Sequence, residues 1–266
     1  MFEAPVLSLS NITVAFGALK AVHDVSLKLR LGERRAVLGP NGAGKTTLFN
    51  AITGSTRASS GRVVFEGVDM TRMSPQRRAH LGVARTFQIT NLFAELSVLE
   101  NMRLAARGLS WRKFSLMGRD RLSHTEAAQV EAALAASHLV GREATVVREM
   151  SYGEQRQLEV AMALVGTPRM LLLDEPAAGL SPAERTHVAA IIRNLPRNLT
   201  VVLIEHDMDL ALGLVDSVTV MQNGRVIVEA APDEIRNHPL VQEVYLGKPH
   251  GVGEAEQEGR ANAHTV

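Results

Sequence analysis

GPNGAGKTT, Gly39 to Thr47, decides the fold. An apolar stretch (Ala36, Val37, Leu38) runs into it and a helix-forming stretch (Thr46 to Ile52) runs out. That strand–loop–helix context separates a phosphate-binding loop from an ordinary glycine-rich turn. Glycines let the backbone turn its N–H groups inward around phosphate oxygens. The helix start adds roughly half a positive charge at the same point. In this reading Gly39, Pro40, Asn41, Gly42, Ala43 and Gly44 cradle phosphate, with Thr47 closing the loop. Lys45 brings a full charge to the outer phosphates, and the Thr46 hydroxyl suits Mg²⁺.

Working outward, Val25 to Arg30 alternates apolar and polar residues, the pattern of a sheet with one solvated face. Arg62 to Glu66 reads as a strand closed by Gly67, and Gly54 ends the helix after the loop. From about Asn91 to Leu164 the texture is helical, as in His124 to Leu139. Met170 to Leu173 and Thr200 to Ile204 are short continuous apolar runs, suited to strands buried on both faces of a parallel sheet. A helix opens between them at Ser181-Pro182, with Glu184 in its first turn. Val218 to Met221 and Val226 to Val228 flank Asn223-Gly224, a hairpin signal. Pro232 opens a short helix, and the polar residues 251–266 read as a disordered tail.

The composition narrows the function classes. The chain has 266 residues, a net charge of +1 and no cysteine. Such a balance offers no footing for nucleic acid, and nothing indicates a disulfide framework or a thiolate metal site. The start, MFEAPVLSLSNITV, lacks the basic head and apolar core of a signal peptide. No apolar run approaches the ~20 residues that span a bilayer. The chain is therefore expected to be cytosolic, reaching a membrane only through a partner.

MLLLDEP, Met170 to Pro176, delivers two carboxylates at the C-terminal end of a buried strand, where ligands gather in open α/β sheets. Alone, such a pair is equally a solvated turn. Downstream of a phosphate loop, Asp174 reads as a Mg²⁺ ligand, through water, and Glu175 as the group that polarises attacking water.

The phosphate loop, MSYGEQR (Met150 to Arg156), MLLLDEP and IEHDM (Ile204 to Met208) together resemble, in order, the motifs of an ABC transporter ATPase, up to about residue 248. The resemblance implies an α/β fold: a P-loop NTPase core, an attached antiparallel β-subdomain and an inserted helical subdomain at about 89–165, within a domain of residues 1–250. It further implies that Ser151 and Gly153 cap the γ-phosphate bound by the opposite subunit of a head-to-tail dimer. Gln88 matches the residue that senses Mg²⁺ and water, His206 the switch histidine on the γ-phosphate, and Phe16 the aromatic that stacks on adenine. Ala178 to Ser181 matches the loop that crosses the dimer interface. Outside the resemblance the bland readings stand: Phe16 as core, His206 as a structural histidine, Ser151 as a helix cap. Tyr152 and Glu154 depart from the commonest signature, LSGGQ, and Ser181 stands where many relatives have aspartate.

Within the family, RTFQITNLFAELSVLENM, LLLDEPAAGLSP and PDEIRNHPLVQEVYLG are similar to branched-chain amino-acid (Liv-type) importers. That likeness implies ATP and Mg²⁺ as ligands and transmembrane permease subunits as partners. It also implies a second homologous ATPase, or a second copy of this chain, and indirectly an extracytoplasmic solute-binding protein. The place of action would be the cytoplasmic face of the membrane. Importers of urea and other amides carry similar ATPases, so those cargoes stay open. Trp111 to Arg121 mixes basic and apolar residues and leaves three readings: a solvated loop, a membrane-surface stretch, or a wall of the permease groove.

Overall fold

The computed structural model describes residues 4–86, 92–108 and 122–246. Gln88, Trp111 to Arg121 and the 251–266 tail lie outside the described residues. The chain opens with β1 (Leu7–Phe16), β2 (Leu19–Leu29) and β3 (Arg34–Leu38), then α1 (Lys45–Thr53). Next come β4 (Ser60–Phe65), β5 (Val68–Asp69), α2 (Pro75–His80) and β6 (Val83–Arg85). The helices α3 (Val98–Gly108), α4 (His124–Ala136) and α5 (Tyr152–Leu164) precede β7 (Met170–Asp174). Then follow α6 (Pro182–Asn194), β8 (Thr200–Ile204), α7 (Met208–Leu212) and the hairpin β9 (Ser217–Gln222) and β10 (Arg225–Ala230). Two short helices, α8 (Pro232–Arg236) and α9 (Pro239–Leu246), are the last elements among the described residues.

Two sheets organise these elements. One has the order β10-β9-β3-β8-β7-β6, parallel from β9 to β6, with β10 antiparallel at its edge. The other is antiparallel, β2-β1-β4-β5. The apolar runs explain the layering. Along β7, Met170 and Leu172 face one cluster with α1 and the antiparallel sheet, while Leu171 and Leu173 face another with α6. In β8, Val202 and Ile204 alternate with Val201 and Leu203 in the same way. A strand buried on both faces must be continuously apolar, and these are. On β2 only one face is buried: Val25, Leu27 and Leu29 are inside, while Ser26 and Lys28 are exposed.

The helices α3, α4 and α5 share a third cluster, including Val98, Met102, Val130, Leu134 and Leu158. α5 also faces the central sheet, where Val160 joins the cluster around α6. Expected strand and helix ends shift by a few residues. α4 stops at Ala136, because His138 takes a left-handed φ of 57°. Beyond Phe65, Glu66 and Gly67 both have positive φ (48° and 78°), which folds β5 back onto β4 as a hairpin. β5, α2, β6, α7 and α9 are too short for periodicity to announce them.

Candidate functional site

β3 lies between β8 and β9, so the Gly39–Thr47 loop rises from the middle of the parallel sheet. Gly44, at φ 99°, makes the turn into α1. A Cβ there would sit 2.3 Å from the Ala21 carbonyl oxygen, so glycine is required both by conformation and by the close approach of β2. Lys45 is buried (7% exposed) and donates to the carbonyls of Gly39 (2.6 Å) and Pro40 (3.0 Å). Burial pushes the Lys45 ammonium below its usual range, against the opposing pull of Glu175 and Asp174. Thr46, Asn41 and Gly42 are exposed at the mouth, while Ala43 is buried and Thr47 half-buried.

The register of β7 on β8 pairs Asp174 with Ile204, which places the two acidic strand ends side by side. Glu175 continues the ladder through its N–H to the Ile204 carbonyl (2.9 Å) at a φ of 48°. A left-handed conformation at a glutamate costs roughly 1 kcal/mol or more, and such strain is concentrated at functional positions. Asp174 is 1% exposed. Its Oδ2 accepts from Arg85 Nη2 at 2.6 Å, and Arg85 also reaches Asn50 and lies over Phe49, 5.8 Å from the ring centroid. Asp174 Oδ1 is buried without a hydrogen-bond partner among the described residues. An orphaned carboxylate oxygen whose charge acts on Lys45 of the phosphate loop fits a hydrated Mg²⁺. Among the described residues no three His, Cys, Asp or Glu gather as a metal cage.

His206 follows β8 with its side chain 56% exposed. The preceding Glu205, which sequence reasoning passed over, is 1% exposed. Its carboxylate accepts the N–H of Ala177 (3.1 Å) and of His206 (3.3 Å), tying the segment after Glu175 to the segment bearing His206. Burial raises the Glu205 carboxyl; the Ala177 N–H and His206 oppose this, and the Glu175 charge adds to it. The stability contributed by the protonated form is full below the ordinary carboxylate range and is lost as pH rises through the raised folded-state value. Glu205→Gln removes this titration, though its single acceptor oxygen serves only one of the two N–H groups, so between pH 5 and pH 7 the native chain should lose more melting temperature, or gain less, than the variant, as scanning calorimetry at both pH values will read. The same dependence on pH in both chains would refute the burial argument.

Phe16 is 55% exposed at the end of β1, facing Leu19 across the hairpin, so it is not a core residue. Ser151 caps α5: its Oγ accepts the Glu154 N–H (3.2 Å), and Glu154 returns a bond to the Ser151 N–H (2.8 Å). The departures from the common signature have local uses. Glu154 also pairs with Arg142 (2.7 Å), and the Tyr152 hydroxyl accepts from Arg156 (2.9 Å). Ser181 caps α6 through a matching box with Glu184. The other oxygen of Glu184 accepts the Gly153 N–H at 3.0 Å, and a Cβ on Gly153 would lie 2.7 Å from that carboxylate. The loop expected to bind phosphate in trans thus spends its Gly153 donor on a carboxylate of its own chain.

Residues 22–178 match the family model described as ABC transporter, and residues 225–251 match that described as branched-chain amino acid ATP-binding cassette transporter. Among curated relatives, the high-affinity branched-chain amino acid transport ATP-binding protein LivG of Salmonella typhimurium is 38% identical over 251 residues, 92% of this chain and 98% of the relative. BraF of Pseudomonas aeruginosa, named in the same words, is 36% identical over 253 residues, with 92% and 98% covered. The solved ADP conformation of MJ1267, an ATP-binding cassette of an ABC transporter, superposes with a TM-score of 0.81 at 31% identity, covering 92% of this chain and 99% of that one. A nucleotide-free ATP-binding cassette from an ABC transporter gives 0.81 at 32%, covering 92% and 100%. A family match over more than half the chain, joined to relatives alike over nearly their whole length, supports one conclusion: this chain belongs to the ABC transporter family, among its ATP-binding proteins.

Proposed function

We propose that this chain is the ATP-hydrolysing subunit of an importer for branched-chain amino acids, seated against a membrane permease on the cytoplasmic face. The observation that carries the cargo is the agreement of the 225–251 match with the LivG and BraF relatives. Among the described residues no helix is long and apolar enough to cross a membrane, so the passage itself falls to permease subunits. A cavity of about 210 Å³ between β6 and the helices α3 and α5, lined by Arg85, Thr86, Leu92, Ala105 and Met162, is our candidate for the permease contact.

Two such subunits, identical or homologous, close over two ATP molecules. Lys45 leaves the carbonyls of Gly39 and Pro40 for the outer phosphates, while the amides of the loop from Asn41 to Thr47 hold their oxygens. Phe16 stacks on the adenine. Thr46, Gln88 and Asp174, the last through water, would hold Mg²⁺, which when bound neutralises charge on the β- and γ-phosphates. Glu175 polarises the water that attacks the γ-phosphorus, and the bond to the β–γ bridging oxygen breaks. His206 steadies the γ-phosphate. Ser151 and Gly153 do so for the nucleotide of the opposite subunit, once Glu184 releases the Gly153 N–H.

Uptake of labelled leucine, isoleucine and valine tests the cargo, comparing cells carrying the native chain with cells carrying Glu175→Gln, and labelled urea as control. The expected result is loss of branched-chain uptake with urea uptake unchanged. Retained branched-chain uptake in cells without a redundant importer would remove the cargo assignment.

A further inference from the structure

The ladder of β3 ends at Leu38, paired with Val220 of β9, and at Val37, paired with Ile204 of β8. Gly39 is the first residue beyond it, and its N–H has left the sheet. That N–H donates to the hydroxyl oxygen of Tyr245, on α9, at 2.7 Å across 206 residues of sequence. Tyr245 packs against the cluster on the α6 side of the central sheet, near Val241 and Ile235. The Gly39 carbonyl meanwhile accepts from Lys45 Nζ at 2.6 Å. The Gly39 peptide is therefore held at both ends, by Tyr245 from behind and by Lys45 from within the loop. Its φ of 146°, and the 2.2 Å that would separate a Cβ from the Met221 carbonyl oxygen, leave no other residue type room to take this shape.

These two grips differ in fate when nucleotide enters. On the nucleotide-site reading above, on which this inference rests, Lys45 turns from the Gly39 carbonyl to phosphate. The Tyr245 hydroxyl is then the side-chain contact left on that peptide. We propose that Tyr245 is a positioning residue of the nucleotide site: its hydroxyl pins Gly39 so that the phosphate loop keeps its binding shape as Lys45 moves. Burial keeps the hydroxyl protonated by raising it above its usual range, with the Gly39 N–H opposing. Tyr245 also falls inside the 225–251 match and Gly39 inside the 22–178 match, so the two matched segments touch at this bond.

Tyr245→Phe removes one oxygen and leaves the ring packing. Titration of the full-length chain with a fluorescent ATP analogue should show affinity about tenfold weaker, because the loss falls on the bound form, where Lys45 has left the Gly39 carbonyl, more than on the free form, where Lys45 still holds it. The KM for ATP should rise with kcat preserved. Val241→Ala, on the same helix, loosens packing but keeps the hydroxyl; it should lower the melting temperature without changing affinity well below it. Unchanged affinity in Tyr245→Phe would overturn the proposal, as would equal weakening in Val241→Ala. A native chain that binds no ATP would instead sink the nucleotide-site reading itself.

Discussion

Glu175→Gln is expected to slow ATP hydrolysis by about 10²- to 10⁴-fold, the usual contribution of a positioned general base, while ATP still binds. Glutamine matches glutamate in volume, so the bonds that set the backbone here remain: the Glu175 N–H to Ile204, and the Ala178 N–H to the Glu175 carbonyl (3.1 Å). What disappears is the negative charge that draws a proton from water. Lys45 loses one of the two carboxylates that favour its charged form but keeps Asp174. Phosphate release and equilibrium ATP binding, measured on the same preparation, separate these effects. Elution by size in the presence of ATP adds a third reading, since stalled hydrolysis should hold the two subunits together. Phosphate release at the native rate would move the base to another residue.

Arg85→Met should lower folding stability by about 3–5 kcal/mol, the range seen when one member of a buried ion pair is removed. Arg85 and Asp174 are 8% and 1% exposed, so the stranded carboxylate cannot turn to water. Lysine will not replace arginine here, because one guanidinium serves Asp174 and Asn50 together and also lies over Phe49. Urea unfolding provides the measure. Adding Asp174→Asn to Arg85→Met should recover part of the loss, since the uncompensated charge goes with it. A single-variant loss below about 1 kcal/mol would place this pair with solvent-exposed bridges and refute the argument.

Arg85 was not singled out from the sequence, although it sits three residues before Gln88 in RTFQ. Nothing local marks it, because its partner lies 89 residues away. Glu205 had a weak signal, an acidic residue directly before His206 at a strand end, but its burial depends on the turn at Ala177 packing over it. Glu184 reads as a helix-start residue, and it is one; its second bond, to Gly153, needs α5 and α6 side by side. Phe16 shows the reverse case. Apolar character alone places it in the core, yet the hairpin tip leaves it exposed.

By itself the sequence determined the elements whose causes are local. Glycines and a lysine at fixed spacing make a phosphate loop, continuous apolar runs make strands buried on both faces, and Asn223-Gly224, with φ of 50° and 75°, makes a hairpin. Motif order was legible for the same reason, since each motif is a few adjacent residues. Tertiary structure alone decided which distant groups meet: Tyr245 on Gly39, Arg85 on Asp174, Glu184 on Gly153. Those meetings follow from strand order and helix packing. Both are set by burying many apolar side chains at once, so no short stretch of chain encodes them.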